Sequence, residues 1–216
     1  MELINTIEIS PSEYSSNDYK SPNSSSLESK NEWYNYWKKC INDSNLTELE
    51  PIEKGSYFVD LNTINDTSLK IILLKALKEI DIENIDDEIL PFNGGIVLKI
   101  NDQKFIEPNC CCDIGNLADW LDILIAQKEE WHQLWIGHPW IYYKIADDLI
   151  YFSDYTDEND SLNIKEKFSI PRNVLGDKLK NIEQQREEFR LKIERNLIEL
   201  NIQQPDKIAN LLTGLN

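Results

Sequence analysis

The chain has no long apolar segment. No stretch approaches the ~20 consecutive apolar residues of a membrane-spanning helix, and the first ten residues lack the basic and apolar regions of a signal peptide. The four cysteines do not have the spacing of a disulfide framework, because three of them are contiguous. These absences predict a cytoplasmic protein with reduced thiols and no membrane association.

Positive charge is also scarce. The 216 residues include 22 Lys and Arg against 39 Asp and Glu, which gives a formal charge of −17. Nucleic acids and anionic membranes are polyanions that a positive surface must neutralise, so the charge argues against binding to either. It favours a basic protein as the partner.

Several motifs that carry enzyme chemistry are missing. Gly94-Gly95 lacks the context of a phosphate-binding loop, and no signature of a serine hydrolase or a kinase is found. No Cys-x-x-Cys occurs, and neither acidic run has the spacing of a calcium-binding loop. We therefore assign no catalytic residue, no metal ligand and no cofactor from the sequence.

The fold class predicted from the hydrophobic pattern is α+β, with antiparallel hairpins packed with a central helix, plus a long C-terminal helix. Residues 10–31 are rich in Ser, Asn and Pro and bury little apolar surface, which is typical of flexible segments. The predicted organisation is a flexible N-terminal arm at 1–31, an α+β core domain at 32–171 and a C-terminal helical extension at 172–216.

The predicted elements follow from residue periodicity and from turn residues. One hairpin joins 96–100 to 104–106 through Asn101-Asp102, and a second joins 140–145 to 149–152. The central helix is predicted over 116–135 and the long helix over 173–200. The remaining predictions are a helix from Glu32, a strand at 56–61 followed by a helix over 69–80, a strand at 168–170 and a helix at 207–212.

The long helix has an apolar seam that is open to two interpretations. It packs on the body of the protein, or it pairs with a second copy and makes the chain a homo-oligomer, where its two polar members would fix the register. The seam consists of Leu175, Leu179, Ile182, Arg186, Phe189, Ile193, Asn196 and Leu200.

Cys110, Cys111 and Cys112 stand side by side, and the two histidines of the chain, His132 and His138, follow. A metal site is disfavoured because adjacent residues of an extended segment point to opposite faces, so only Cys110 and Cys112 converge. A straight helix over 116–135 would also separate the cysteines from His138 by about 30 Å. The favoured interpretation is a buried turn that anchors the helix.

Thiol chemistry remains an alternative. Cys112 precedes a predicted helix N-terminus, whose partial positive charge stabilises a thiolate, although Asp113 opposes this. The alternative function is an enzyme that uses Cys110 or Cys112 with His138 in a tryptophan-lined pocket. The tryptophans concerned are Trp120, Trp131, Trp135 and Trp140, for which a place in the centre of the core is the simpler expectation.

Two acidic runs, 79–88 and 154–160, are solvated loops or a surface for a basic partner. Under the second interpretation their carboxylates are the partner-binding residues. These are Asp81, Glu83, Asp86, Asp87, Glu88, Asp154, Asp157, Glu158 and Asp160.

Two resemblances bear on function. The block at 107–116, with its Cys-Cys-Asp, and the Trp-Ile-Gly-His-Pro-Trp at 135–140 resemble motifs of uncharacterised bacterial proteins. More loosely, an acidic α+β chain with Leu90-Pro91 followed by Asn93-Gly94-Gly95 resembles the SMI1/KNR4-like immunity proteins that neutralise bacterial toxins. That likeness implies a non-enzymatic antitoxin, while the cysteine block and the long C-terminal helix depart from it.

Overall fold

A computed structural model describes residues 1–81, 84–126, 129–157 and 164–215. It contains helices and antiparallel strand pairs, so the predicted α+β class is confirmed. The helices are α1 Pro11–Tyr14, α2 Lys30–Asn42, α3 Asp66–Ala76, α4 Ile85–Glu88, α5 Leu117–Ile125, α6 Arg172–Glu199 and α7 Pro205–Thr213. The strands are β1 Glu2–Glu8, β2 Phe58–Asp60, β3 Gly94–Ile100, β4 Gln103–Ile106, β5 His132–Leu134, β6 Ile141–Ala146, β7 Leu149–Ser153 and β8 Glu166–Pro171.

The chain divides into two compact units that differ from the predicted segments. Unit 1 contains Met1–Asn5 and Asn93–Gln185, and unit 2 contains Thr6–Phe92 and Arg186–Asn216. β1 and α6 therefore contribute residues to both units. The strand orders are β2-β1-β3-β4 in one sheet and β5-β6-β7-β8 in the other.

Both predicted hairpins are present in unit 1. β3 pairs with β4 across Asn101 and Asp102, which have φ of 51° and 63°, the left-handed values that a tight two-residue hairpin turn requires. β6 pairs with β7 across Asp147 and Asp148. Asp147 has φ of 52°, and Asn and Asp adopt positive φ more readily than other non-glycine residues, so the residues of both turns suit tight hairpins.

The core of unit 1 lies where the hairpins and α5 bury their apolar faces. Trp120 of α5 is fully buried and packs its ring near that of Phe152 on β7, with centroids 6.1 Å apart. The aliphatic members of this core include Ile96, Leu98, Leu117, Ile123, Leu134, Ile141, Ile150, Leu175 and Leu179. Unit 1 thus has an apolar core formed by its strands, α5 and residues of α6.

In unit 2, the helix predicted from Glu32 is α2, and its apolar face points inward as the spacing indicated. Trp37, Cys40 and Ile41 are buried, and the indole Nε1 of Trp37 donates a hydrogen bond of 2.7 Å to the carbonyl of Ile9. The second half of β1 pairs antiparallel with β2, with Ile7 opposite Val59. The predicted strand-then-helix order at 56–80 is realised as β2 and α3.

The segment 1–31, predicted as a flexible arm, contains ordered elements that composition did not reveal. It begins with β1, whose Leu3 and Ile7 are buried. Further along, the carboxylate of Asp43 accepts hydrogen bonds from the backbone N–H of Ser16 and from the hydroxyl of Tyr19. These hydrogen bonds hold part of the polar segment against the residue that follows α2, and apolar content does not measure such contacts.

The central helix predicted over 116–135 is wrong in its second half. α5 ends at Ile125, and β5 then pairs with β6, with Leu134 opposite Ile141. Burial alternates from Leu134, which is buried, to Trp135, which is exposed, and to Ile136, which is buried. That is a strand period of two, and the ladder with β6 overrides the apparent helical spacing.

The long C-terminal helix is present as α6, and its seam is occupied within the chain. Seven of the eight seam residues, all except Leu200, are buried. The seam therefore packs within the chain, as the first interpretation expects, and self-association of the chain stays a prediction. In the described ranges, none of the helices has the length and apolar character needed to cross a bilayer.

Candidate functional site

Three segments of unit 1 meet around Cys110. An isolated antiparallel bridge pairs Cys110 with His138, and the backbone N–H of Asn109 donates to the carbonyl of Ile136 at 2.7 Å. A second bridge pairs Trp140 with Thr156, so residues 107–113, 136–140 and 154–157 lie together. We take this junction as the candidate functional site.

The cysteines form a tight turn. The N–H of Cys112 donates to the carbonyl of Asn109 at 3.1 Å, which closes the turn around Cys110 and Cys111. Cys111 has φ of 70°, a left-handed value that is uncommon for a residue other than glycine or asparagine. The Sγ atoms of Cys110 and Cys111 are 3.1 Å apart.

This geometry corrects two expectations about the triplet. Cys110 and Cys111 are exposed and only Cys112 is buried, so the triplet does not line the core as a whole. The sulfurs that converge belong to Cys110 and Cys111 rather than to Cys110 and Cys112. The reason is the turn, since side-chain alternation holds only for an extended segment.

His138 also lies where the sequence did not place it. The prediction separated it from the cysteines by the length of a helix, but the bridge sets it directly opposite Cys110, on the same face of the paired segments. Its Nε2 lies 3.1 Å from Oδ1 of Asp157, and its ring meets Trp140 edge-on with centroids 4.9 Å apart. The side chain of His138 is 56% exposed, so the imidazole faces solvent.

The four tryptophans of this region do not share one environment. Trp120 is in the core, Trp131 and Trp140 are half-buried, and Trp135 is 41% exposed. The amine of Lys144 lies over the Trp131 ring at 4.9 Å, while Trp140 contacts His138. All four tryptophans were expected in the centre of the core, but only Trp120 is found there. The other three lie at the surface.

Cys112 is poorly suited to be a nucleophile. It is 2% exposed, and burial, followed by the charges of Asp113 and Asp119, raises the pKa of its thiol to about 12. A thiol is reactive as the thiolate, so this residue stays protonated and inert at neutral pH. Of the two cysteines named for the alternative enzyme, only Cys110 keeps the exposure that chemistry needs.

These environments predict the order of thiol alkylation. In native protein treated with iodoacetamide at neutral pH, we expect Cys110 and Cys111 to be modified, because both are exposed. Cys112 and Cys40 should react only after denaturation, since burial raises the pKa of the Cys40 thiol as well. Peptide mapping by mass spectrometry measures the four sites. Modification of Cys112 as fast as that of Cys110 would contradict the geometry.

The first acidic run lies in unit 2, partly on α4. Asp81, Asp86, Asp87 and Glu88 are exposed, whereas Glu83 lies outside the described residues. Lys207 pairs with Asp86 at 2.6 Å, and Glu88 accepts a hydrogen bond of 2.8 Å from the backbone N–H of Asp81. Part of this run is therefore engaged by local contacts.

The second acidic run lies in unit 1. Lys167 hydrogen-bonds Asp154 at 2.6 Å and lowers the pKa of its carboxyl, and Asp157 is the partner of His138. Glu158 and Asp160 fall outside the part of the chain that the structure describes. Asp157 thus belongs to the cysteine–histidine junction as well as to the acidic run, a coincidence that the sequence pattern did not indicate.

Comparisons with models of protein families, with curated proteins and with solved structures gave no match for this chain. Within the described ranges, His, Cys, Asp and Glu side chains form no group of three or more that could hold a metal ion. What the arrangement offers chemically is a pair of exposed thiols beside a solvent-facing imidazole and its carboxylate partner.

Proposed function

We propose that this chain is a non-enzymatic binding protein whose partner is a basic protein, in the manner of an immunity protein that neutralises a basic bacterial toxin. The observation that supports it is the formal charge of −17, together with the exposed carboxylates carried by α4. A dense negative field attracts a basic partner and accelerates its encounter.

The local cation near α4 does not remove this attraction. The Lys207–Asp86 pair is largely exposed, with side-chain exposures of 41% and 66%. Exposed pairs of this kind contribute about 0–1 kcal/mol. The lysines and arginines of a partner therefore compete for Asp86 at little cost, and Asp87 and Glu88 on the same helix extend the negative surface.

Salt is the first test. With the purified protein as bait in a lysate of its source, we expect a protein of high isoelectric point to be captured at low salt and released as salt is added. The Debye length falls from about 10 Å at 0.1 M to about 3 Å at 1 M, which screens exposed charges. Binding measured by calorimetry with the isolated partner should weaken in the same way.

A charge variant tests the surface itself. Replacing the three α4 carboxylates together (Asp86→Asn, Asp87→Asn and Glu88→Gln) should weaken binding on the order of tenfold, about 1.4 kcal/mol. The matched control removes the same charge from exposed positions of α6 (Asp177→Asn, Glu183→Gln and Glu188→Gln), and it should bind nearly as the unmodified chain does.

The two variants separate a local surface from net charge. Equal weakening by both would show that overall charge acts, and α4 would then lose its assignment as the binding surface. Capture that is insensitive to salt, or a captured protein that is acidic, would contradict the proposed function.

A further inference from the structure

Cys110 and Cys111 carry exposed thiols, and these thiols take no part in the proposed binding of a basic protein. Their Sγ atoms are 3.1 Å apart, and both side chains reach solvent. We infer that this pair is a redox site, at which the two thiols close to a vicinal disulfide on reaction with a low-molecular-weight disulfide. The inference is independent of the proposed function, in which no cysteine takes part.

The distance favours closure within the pair. A disulfide bond joins sulfurs about 2.05 Å apart, so the two atoms must approach each other by about 1 Å. This approach requires rotation of both cysteine side chains and a local adjustment of the backbone at 110–111, because neighbouring Cα atoms are closer together than those of usual disulfides. Cys112 has its Sγ directed to the carbonyl of Asp113 at 3.8 Å and is buried, so it does not compete for either partner.

The backbone holds the pair in place from both ends. The bridge to His138 fixes Cys110, and the hydrogen bond from Cys112 N–H to the Asn109 carbonyl closes the turn after Cys111. The carbonyl of Cys112 also accepts from the N–H of Gly94 at 3.1 Å. Because the turn is already ordered, closing the ring costs less conformational entropy than it would in a flexible dipeptide.

The reaction is a pair of thiol–disulfide exchanges. One cysteine, as the thiolate, attacks a sulfur of the soluble disulfide, whose S–S bond breaks and releases one thiol. The neighbouring cysteine, after losing its proton, attacks the cysteine sulfur of the mixed disulfide and releases the second thiol. The protein loses two electrons and two protons, and the soluble disulfide gains them as two thiols.

Adjacency in sequence makes the product easy to reopen. Consecutive Cα atoms across a trans peptide are about 3.8 Å apart, whereas disulfides usually span about 4.4–6.8 Å between Cα atoms. Strained disulfides of this kind are more readily reduced than structural ones and act in regulation. The site therefore responds reversibly to the balance between soluble disulfide and soluble thiol.

The test uses the reduced full-length chain and oxidised glutathione as the probe. We expect the intact mass to fall by two hydrogen atoms with no glutathione retained, and two of the four thiols to become resistant to alkylation. Peptide mapping should place both resistant thiols at Cys110 and Cys111. Adding dithiothreitol should restore all four thiols.

Single variants identify the two steps. Cys110→Ser and Cys111→Ser should each retain one glutathione, because the thiol that resolves the mixed disulfide is missing. Cys112→Ser and Cys40→Ser are the matched controls, and both should close as the unmodified chain does.

The mass of the unmodified chain decides the outcome without any variant. Retention of glutathione at Cys110 or Cys111, or four alkylatable thiols after treatment with excess oxidised glutathione, would overturn the inference. A disulfide that includes Cys112 or Cys40, or that links two copies of the chain, would overturn it as well.

Discussion

Replacing Gly137 with alanine is expected to lower the free energy of unfolding by about 3 kcal/mol, since left-handed strain and overpacking add. Gly137 has φ of 86°, and an added Cβ would lie 2.7 Å from the carbonyl oxygen of Asn109 and closer still to that of Cys110. Both are backbone atoms of the cysteine turn, so the clash cannot be relieved by rotating a side chain. Urea unfolding followed by circular dichroism measures the loss.

Gly176→Ala is the matched control, with the opposite sign expected. Gly176 lies within α6, and an added Cβ meets Leu124 side-chain carbons at 3.7 Å, an ordinary contact. Alanine should stabilise the helix by about 0.5–1 kcal/mol. If Gly137→Ala unfolds at the same urea concentration as the unmodified chain, the close approach of the Gly137 backbone to the cysteine turn is wrong.

The sequence predicted correctly those helices and strands that are determined by residues close together in the chain. The Asn101-Asp102 turn lies between two runs of strand-forming residues, and this combination was sufficient to predict β3 and β4. Similarly, the three-and-four spacing from Leu175 onward predicted α6 and its buried side. In both cases the residues that set the structure are close together in the chain.

The candidate functional site, in contrast, is formed by residues that are far apart in the chain. Cys110 and His138 are 28 positions apart in the chain, and the bridge between them depends on where β5 pairs with β6. Because the interval was interpreted as one helix, the strand β5 was missed. The same interpretation led to the wrong prediction that Cys110 and His138 lie far apart. The missed signal was Gly137, which lies just beyond the predicted helix and marks a place where two backbones approach closely.

The turn at the cysteines illustrates a second limit of sequence interpretation. Side-chain directions were inferred from an extended segment, but Cys111 has positive φ. Cysteine has no preference for that conformation, so composition gave no warning of it. The strain of this residue and the close approach of its sulfur to that of Cys110 are features of the folded context rather than of the dipeptide.

Replacing Trp37 with alanine should have the largest effect on unit 2, a loss of about 4 kcal/mol in the free energy of unfolding. The side chain is fully buried on α2, and its Nε1 donates to the carbonyl of Ile9 at 2.7 Å. Truncation leaves a cavity and removes the donor from that acceptor. Trp37→Phe separates the two effects, because it keeps most of the apolar volume and loses the hydrogen bond.

The control for this substitution is the same change at an exposed tryptophan. Trp135 is 41% exposed, so Trp135→Ala should cost less than about 1 kcal/mol. The order expected in urea unfolding is Trp37→Ala least stable, Trp37→Phe next, and Trp135→Ala close to the unmodified chain. Similar losses for Trp37→Ala and Trp135→Ala would mean that Trp37 is not enclosed by the core of unit 2. In that case α2 would not hold the N-terminal segment through Ile9.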